Sequence, residues 1–176
     1  MTVLLIVLGV FVLLFCAVAL RGAPYVPTHA SSLRVLFDEL VPLTKDDLLV
    51  DIGSGDGIVL RAAARRGARA LGYELNPVLV VISRLLAVKY GGRIKTQLAD
   101  FWGASFPAET TVVYTFGESR DIEKMYQKVV REAARLNKLV RFVSYGFELK
   151  NVQPVAHKHA MNVYEVTPLQ PAEAQV

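Results

Sequence analysis

The chain is 176 residues long, enough for one domain with its own core and too short for two ordinary ones. Hydrophobic residues make up 53% and gather at the N-terminus, while 20 Lys plus Arg against 16 Asp plus Glu leave a formal charge of +4. That balance suits an acidic partner or an anionic membrane surface but is too small to imply nucleic acid. The single cysteine, Cys16, excludes an internal disulfide or multi-cysteine metal site, and the scattered His29, His157 and His159 do not suggest zinc, so no metal is expected.

Thr2 to Leu20 hold no charge and no proline. As a helix they rise about 28 Å, enough to cross the hydrocarbon core of a bilayer. A cleaved signal peptide, with Ala17-Val18-Ala19 as its site, and a buried core helix compete with a transmembrane anchor. No basic residue follows Met1, so the usual start of a signal peptide is missing, and a run apolar all round has little room in so small a core. Residues 1–21 are therefore read as an anchor. Arg21 and Arg34 on its C-terminal side place the following domain in the cytoplasm or an equivalent matrix space.

Residues 22–30 form a hinge in which Pro24 and Pro27 forbid a regular helix. It is either a rigid spacer or a segment whose Tyr25 and Thr28 fold back over the site beyond it. The domain proper spans 31–167. Apolar residues at helical spacing run from Ser31 to Leu40, capped by Ser31 or Ser32 and stopped by Pro42. A short apolar run, Leu48 to Ile52, predicts a buried parallel strand. It leads through Gly53-Ser54-Gly55-Asp56-Gly57 into a helix ending near Arg66. Arg61, Arg65, Arg66 and Arg69 form a basic cluster, either a solvated face or a contact for anionic lipid. The second strand is Arg69 to Glu74. Asn76 and Pro77 then start a helix with a broad buried face through Val88.

A third strand, Arg93 to Leu98, runs into Ala99-Asp100-Phe101-Trp102, and a fourth covers Thr110 to Thr115. A helix from Glu118 to Leu136 and a fifth strand, Lys138 to Ser144, follow. Val152 to Lys158 and Ala160 to Val166 are close enough to pair as a hairpin, and residues 168–176 are a flexible tail. Alternation through five strands makes this a doubly wound α/β domain, with its crevice outside the carboxyl ends of the strands.

The glycine turn lets the backbone approach a ligand, and Glu74 stands at the end of the second strand, where an acid can accept both hydroxyls of a ribose. A pyrophosphate is disfavoured by Asp56 in that turn.

On Asp51-Ile52-Gly53-Ser54-Gly55-Asp56-Gly57, Tyr73-Glu74-Leu75-Asn76-Pro77, Asp100-Phe101-Trp102 and Pro24-Tyr25-Val26-Pro27-Thr28, the chain resembles class I S-adenosylmethionine-dependent methyltransferases. More narrowly, it resembles the small protein-lysine methyltransferases that include the mitochondrial ATP synthase c-subunit enzyme and archaeal broad-specificity relatives. The resemblance covers Pro24 to Val166. It implies a Rossmann-like seven-stranded methyltransferase sheet, mostly parallel with a C-terminal antiparallel hairpin, preceded here by one transmembrane helix. It implies S-adenosyl-L-methionine as cofactor, held by Asp51, Gly53, Gly55, Glu74, Asn76, Asp100, Phe101 and Trp102. Asp51 would orient the turn or meet the methionine ammonium, Glu74 would accept the ribose hydroxyls, and Asp100 would accept from the adenine amino group. Phe101 or Trp102 would lie beside the ring, unless Trp102 plugs the third helix.

Tyr25, Thr115 and Tyr145 are the candidates for the substrate channel. The expected activity is methyl transfer to a lysine amine of a protein, with the bilayer as a second partner through residues 2–20. A small or lipid-like acceptor, or a non-catalytic tethered binding module, are the rival readings. Val113-Tyr114-Thr115-Phe116-Gly117 lacks the Asn/Asp-Pro-Pro-aromatic signature of base and glutamine methyltransferases, and nucleic acid is not an expected partner.

Overall fold

The computed structural model describes residues 1–6, 9, 28–117 and 121–168. Residues 2–6 are helical (α1). Ala30–Val35 (α2) continues into a π-helical turn, Leu36–Leu40. Then come β1 Leu48–Ile52, α3 Ile58–Ala64, β2 Arg69–Glu74, α4 Pro77–Ala87, β3 Ile94–Leu98, β4 Thr110–Thr115, α5 Ile122–Leu136, β5 Val140–Tyr145, β6 Ala156–Lys158 and β7 Met161–Val166.

The seven strands form one sheet in the order β3-β2-β1-β4-β5-β7-β6. The first five lie parallel, and β7 pairs antiparallel with both β5 and β6. Central β1 is buried at every position, as a strand covered on both faces must be. Alternate side chains divide the core. Leu49, Ala70, Val112 and Val143 pack beneath α2 and α3, while Val50, Leu71, Val113 and Phe142 pack against α5. The strand order reverses between β1 and β4, whose register sets Asp51 beside Tyr114 and Ile52 beside Thr115. This reversal opens the crevice at the carboxyl ends.

The opposite edge is tied by Asp47. Its carboxylate accepts the Thr44 N–H at 2.8 Å and the Thr111 hydroxyl at 2.7 Å, and meets Arg141 at 3.2 Å. Burial opposes its charge, yet the Thr111 and Thr44 hydrogen bonds and Arg141 hold its pKa below the usual aspartate range.

Two expectations are corrected. Among the described residues no helix is long and apolar enough to cross a membrane. Helical residues 2–6 rise only about 7 Å against a hydrocarbon core of about 30 Å. The rest of the expected span, residues 7, 8 and 10–20, lies outside the described residues. The transmembrane helix is withdrawn, and with it the single-pass location and the topology that rested on it. The second correction concerns α4. Its buried residues are Val80 and Ser83, whereas Val81, Ile82, Leu85 and Leu86 are exposed. A helix beside edge strand β3 has one neighbouring face to bury.

Candidate functional site

β1 delivers Asp51 to the crevice at 2% exposure. The turn after it takes left-handed backbone at Gly53, Gly55 and Gly57, with φ of 75°, 55° and 80°, a conformation costly to any residue with a Cβ. Among the described residues, a Cβ at Gly53 would meet nothing within 4 Å. At Gly57 it would stand 2.4 Å from the Ser83 hydroxyl, and at Gly72 on β2 it would stand 2.3 Å from that of Ser54. Those two glycines bring α4 and β2 close to the turn.

Glu74 leaves the end of β2 and turns inward. One carboxylate oxygen accepts the Gly55 N–H and the other the Asn76 N–H, each at 2.8 Å. Asn76, 7% exposed, caps α4 by accepting the Val78 N–H at 3.0 Å. Glu74 is thus fixed against the glycine turn. Asp56 accepts the Ile58 N–H at 3.1 Å and pairs with Arg61 at 2.9 Å, which steadies the start of α3.

The electrostatics of this cradle are negative. Desolvation raises the Asp51 pKa well above the aspartate range, and the charges of Glu74 and Asp56 push it further. Among the described residues, one Asp51 oxygen and the Ser54 hydroxyl are buried without a hydrogen-bond partner, and each such orphan costs about 1–3 kcal/mol. A ligand carrying positive charge and hydroxyl groups relieves both conditions, whereas a diphosphate aggravates the first. Among the described residues no group of His, Cys, Asp and Glu could hold a metal ion.

Asp100 follows β3 on the surface and accepts the Trp102 N–H at 3.0 Å. The Phe101 and Trp102 rings meet at a tilt of 35°, with centroids 4.3 Å apart. Trp102 is 40% exposed, so it is not a plug sealed beneath the helix. The loop carrying them is anchored from α5: Glu132 accepts the Phe106 N–H at 2.9 Å, and Lys128 donates to the Ala104 carbonyl at 2.7 Å.

The three candidates for the substrate channel separate. Tyr25 lies outside the described residues. Tyr145 is half-buried at the end of β5, its hydroxyl 3.3 Å from Ser32 and its ring edge-on to Phe116 at 4.7 Å. Thr115 faces the opposite side of the sheet from Tyr145. It is fully buried and donates to the Met125 sulfur at 3.5 Å, on the α5 side of the sheet. Successive strand residues face opposite sides, so Phe116, next along the chain, faces the other side with Tyr145 and packs beneath the α2 layer. Thr28 closes that side, 5% exposed, with its hydroxyl 3.0 Å from the Tyr114 hydroxyl. Tyr114 and Phe116, on the Asp51 side of β4, were not singled out from the sequence. Strand parity counted from Asp51 through its partner Tyr114 was the signal that could have found them.

A family model described as the ANTKMT methyltransferase domain matches residues 51–156. The ATP synthase c-subunit lysine N-methyltransferase of Xenopus laevis is 39% identical over 129 residues, covering 69% of this chain and 56% of that protein. A protein-lysine N-methyltransferase of Saccharolobus islandicus (strain REY15A) is 30% identical over 135 residues, covering 74% of this chain and 81% of that one. An RNA methyltransferase from Salinibacter ruber, solved in complex with S-adenosyl-L-homocysteine, superposes with a TM-score of 0.69 at 27% identity, covering 81% of this chain and 93% of that one. The chain spans about half the length of the vertebrate relatives it matches.

Proposed function

Because this chain belongs to the ANTKMT methyltransferase-domain family, we propose that it transfers a methyl group from S-adenosylmethionine to the side-chain amine of lysine in a protein substrate. The observation that carries this reading is the anionic cradle: Asp51, Asp56 and Glu74 around the turn at Gly53. The names of the Xenopus and Saccharolobus relatives support the lysine acceptor. An inward Glu74 and a Gly53 that no described residue crowds favour a working cofactor site over a non-catalytic module. The methyltransferase domain is residues 31–167; of the expected hinge and tail, residues 22–27 and 169–176 lie outside the described residues.

The cofactor supplies an electrophilic methyl on a sulfonium sulfur. Glu74, already oriented by two backbone N–H groups, would accept the ribose hydroxyls through charge-assisted hydrogen bonds. The Asp51 oxygen left without a partner among the described residues would meet the cationic end, and Asp100 with Phe101 and Trp102 would hold the adenine. Gly53 and Gly55 keep the turn free of side chains, and Asn76 holds the start of α4 beside Glu74. On the acceptor side Phe116 and Tyr145 present apolar and aromatic surface. A lysine needs its lone pair to attack, and its ordinary pKa of about 10.4 leaves it protonated; desolvation between rings lowers that value. Alignment of donor and acceptor supplies the remainder of the rate.

Glu74→Ala tests the assignment. Loss of a charge-assisted contact worth about 1.5–3 kcal/mol predicts cofactor binding weaker by about 10- to 100-fold in calorimetry, with labelled methyl transfer into protein falling in parallel. Unchanged affinity would refute the site. Label recovered in lipid or RNA but never in protein would refute the acceptor.

A further inference from the structure

α4 is built inside out. The side facing the sheet carries Val80 and the hydroxyl of Ser83, which bonds Thr96 at 2.7 Å. The side facing away carries Val81, Ile82, Leu85 and Leu86, between 39% and 68% exposed, and Val88 just beyond at 77%. Their i, i+1, i+4, i+5 spacing sets them on one stripe. Leu98, the last residue of edge strand β3, is 55% exposed on the same edge of the sheet. A helix apolar all round is ordinarily covered on every side, and a contiguous exposed apolar face marks an interaction surface.

Charge identifies what covers it. Between Glu74 and Asp100 the sequence holds four basic residues, Arg84, Lys89, Arg93 and Lys95, and no acidic one. All four are exposed. Lys95 shares a groove with Val88, just beyond the end of the apolar stripe, and Arg84 lines it with its guanidinium on the Thr96 carbonyl at 2.8 Å. Two copies of this chain meeting on α4 would set like charges face to face. An anionic bilayer answers both features, with headgroups for the cations and acyl chains for the leucines. We propose that α4 is a peripheral docking face for an anionic lipid surface. At 11 residues α4 is about 16 Å long and lies in the interface rather than crossing it. It starts at Asn76, whose N–H is held by Glu74, so a docked α4 sets the cradle beside the membrane plane.

The test uses the full chain with Cys16→Ser and Leu85→Cys, the new thiol bearing an environment-sensitive fluorophore, and a second protein labelled at Val88→Cys. Vesicles are phosphatidylcholine alone or phosphatidylcholine mixed with phosphatidylglycerol. Both labels are expected to shift to the blue on the mixed vesicles and to return on adding salt. Each Lys→Gln change near the surface lowers partitioning about fivefold, so Lys89→Gln with Lys95→Gln lowers the titrated shift about 25-fold. Reading the labels separates α4 from any binding by the apolar N-terminal residues. Labels that stay in water while the chain sediments with vesicles overturn the proposal, as does an equal shift on neutral vesicles. A shift that needs no lipid and grows with protein concentration overturns it in favour of a second copy. A shift produced only by an added protein overturns it in favour of a protein partner.

Discussion

Burying Asp51 costs the fold stability. Desolvation, with Glu74 and Asp56 nearby, raises its pKa well above the aspartate range, so ionisation is harder in the folded chain than in the unfolded one. The unfolded state then binds fewer protons in the window from the ordinary value of about 3.9 up to the raised one, and stability falls as pH rises through it. Asp51→Asn removes that slope. It is expected to gain on the order of 1 kcal/mol at neutral pH, a Tm higher by about 2–4 °C, while cofactor affinity falls about 10-fold or more. A variant that lost both stability and affinity in thermal melts and calorimetry would contradict this balance. At the same scale, the placement of Asp51, the glycines and Glu74 at one crevice was legible because they stand at the ends of two short apolar runs. The facing of Thr115 and Phe116 was not. Adjacent strand residues face opposite sides, and the strand's apolar pattern is the same on both because both are covered.

Elements meet closely at two glycines. A methyl group at Gly72 would stand 2.3 Å from the Ser54 hydroxyl and 2.8 Å from Leu60, and neither neighbour has room to retreat, being 5% and 0% exposed. Gly72→Ala is expected to cost about 1–3 kcal/mol in denaturant unfolding and to weaken cofactor binding by shifting the turn. Adding Ser54→Gly restores part of the stability; no recovery would place the strain elsewhere. The alternation of strands and helices was readable from apolar runs and glycine punctuation, including the antiparallel pairing of β6 with β7. The inward face of α4 was not, since a helix apolar on all sides gives no direction. The start of α2 differed too: His29 stands at its N-cap and makes no side-chain cap, in place of the serines.

Across the whole molecule, Asp47 ties the approach to β1 to β4 and to β5, through Thr111 and Arg141. Its depressed pKa gives stability that is present above the ordinary aspartate value of about 3.9 and is lost as pH falls through the lower folded value. Asp47→Asn is expected to lose about 1–2 kcal/mol at neutral pH and to show a flatter acid limb in pH-dependent unfolding; a limb as steep as the parent's would show that other carboxylates set it. The anchor expected ahead of the domain came from apolar length alone, which measures what a helix would span and not whether a described helix spans it.

The division of the site between near and distant sequence has a consequence in time. Glu74 reaches Gly55 and Asn76 across 19 and 2 positions, whereas Thr28 meets Tyr114 across 86 and Ser32 meets Tyr145 across 113. Short loops close early and long ones late. On a ribosome, the contacts of Glu74 with Gly55 and Asn76 can close once β2 and the first turn of α4 have emerged, before β3 delivers Asp100, Phe101 and Trp102. The contacts of Tyr114 and Tyr145 wait for β4 and β5. A nascent chain halted after α4 would hold the glycine turn in place with the opposite side of the crevice still unbuilt.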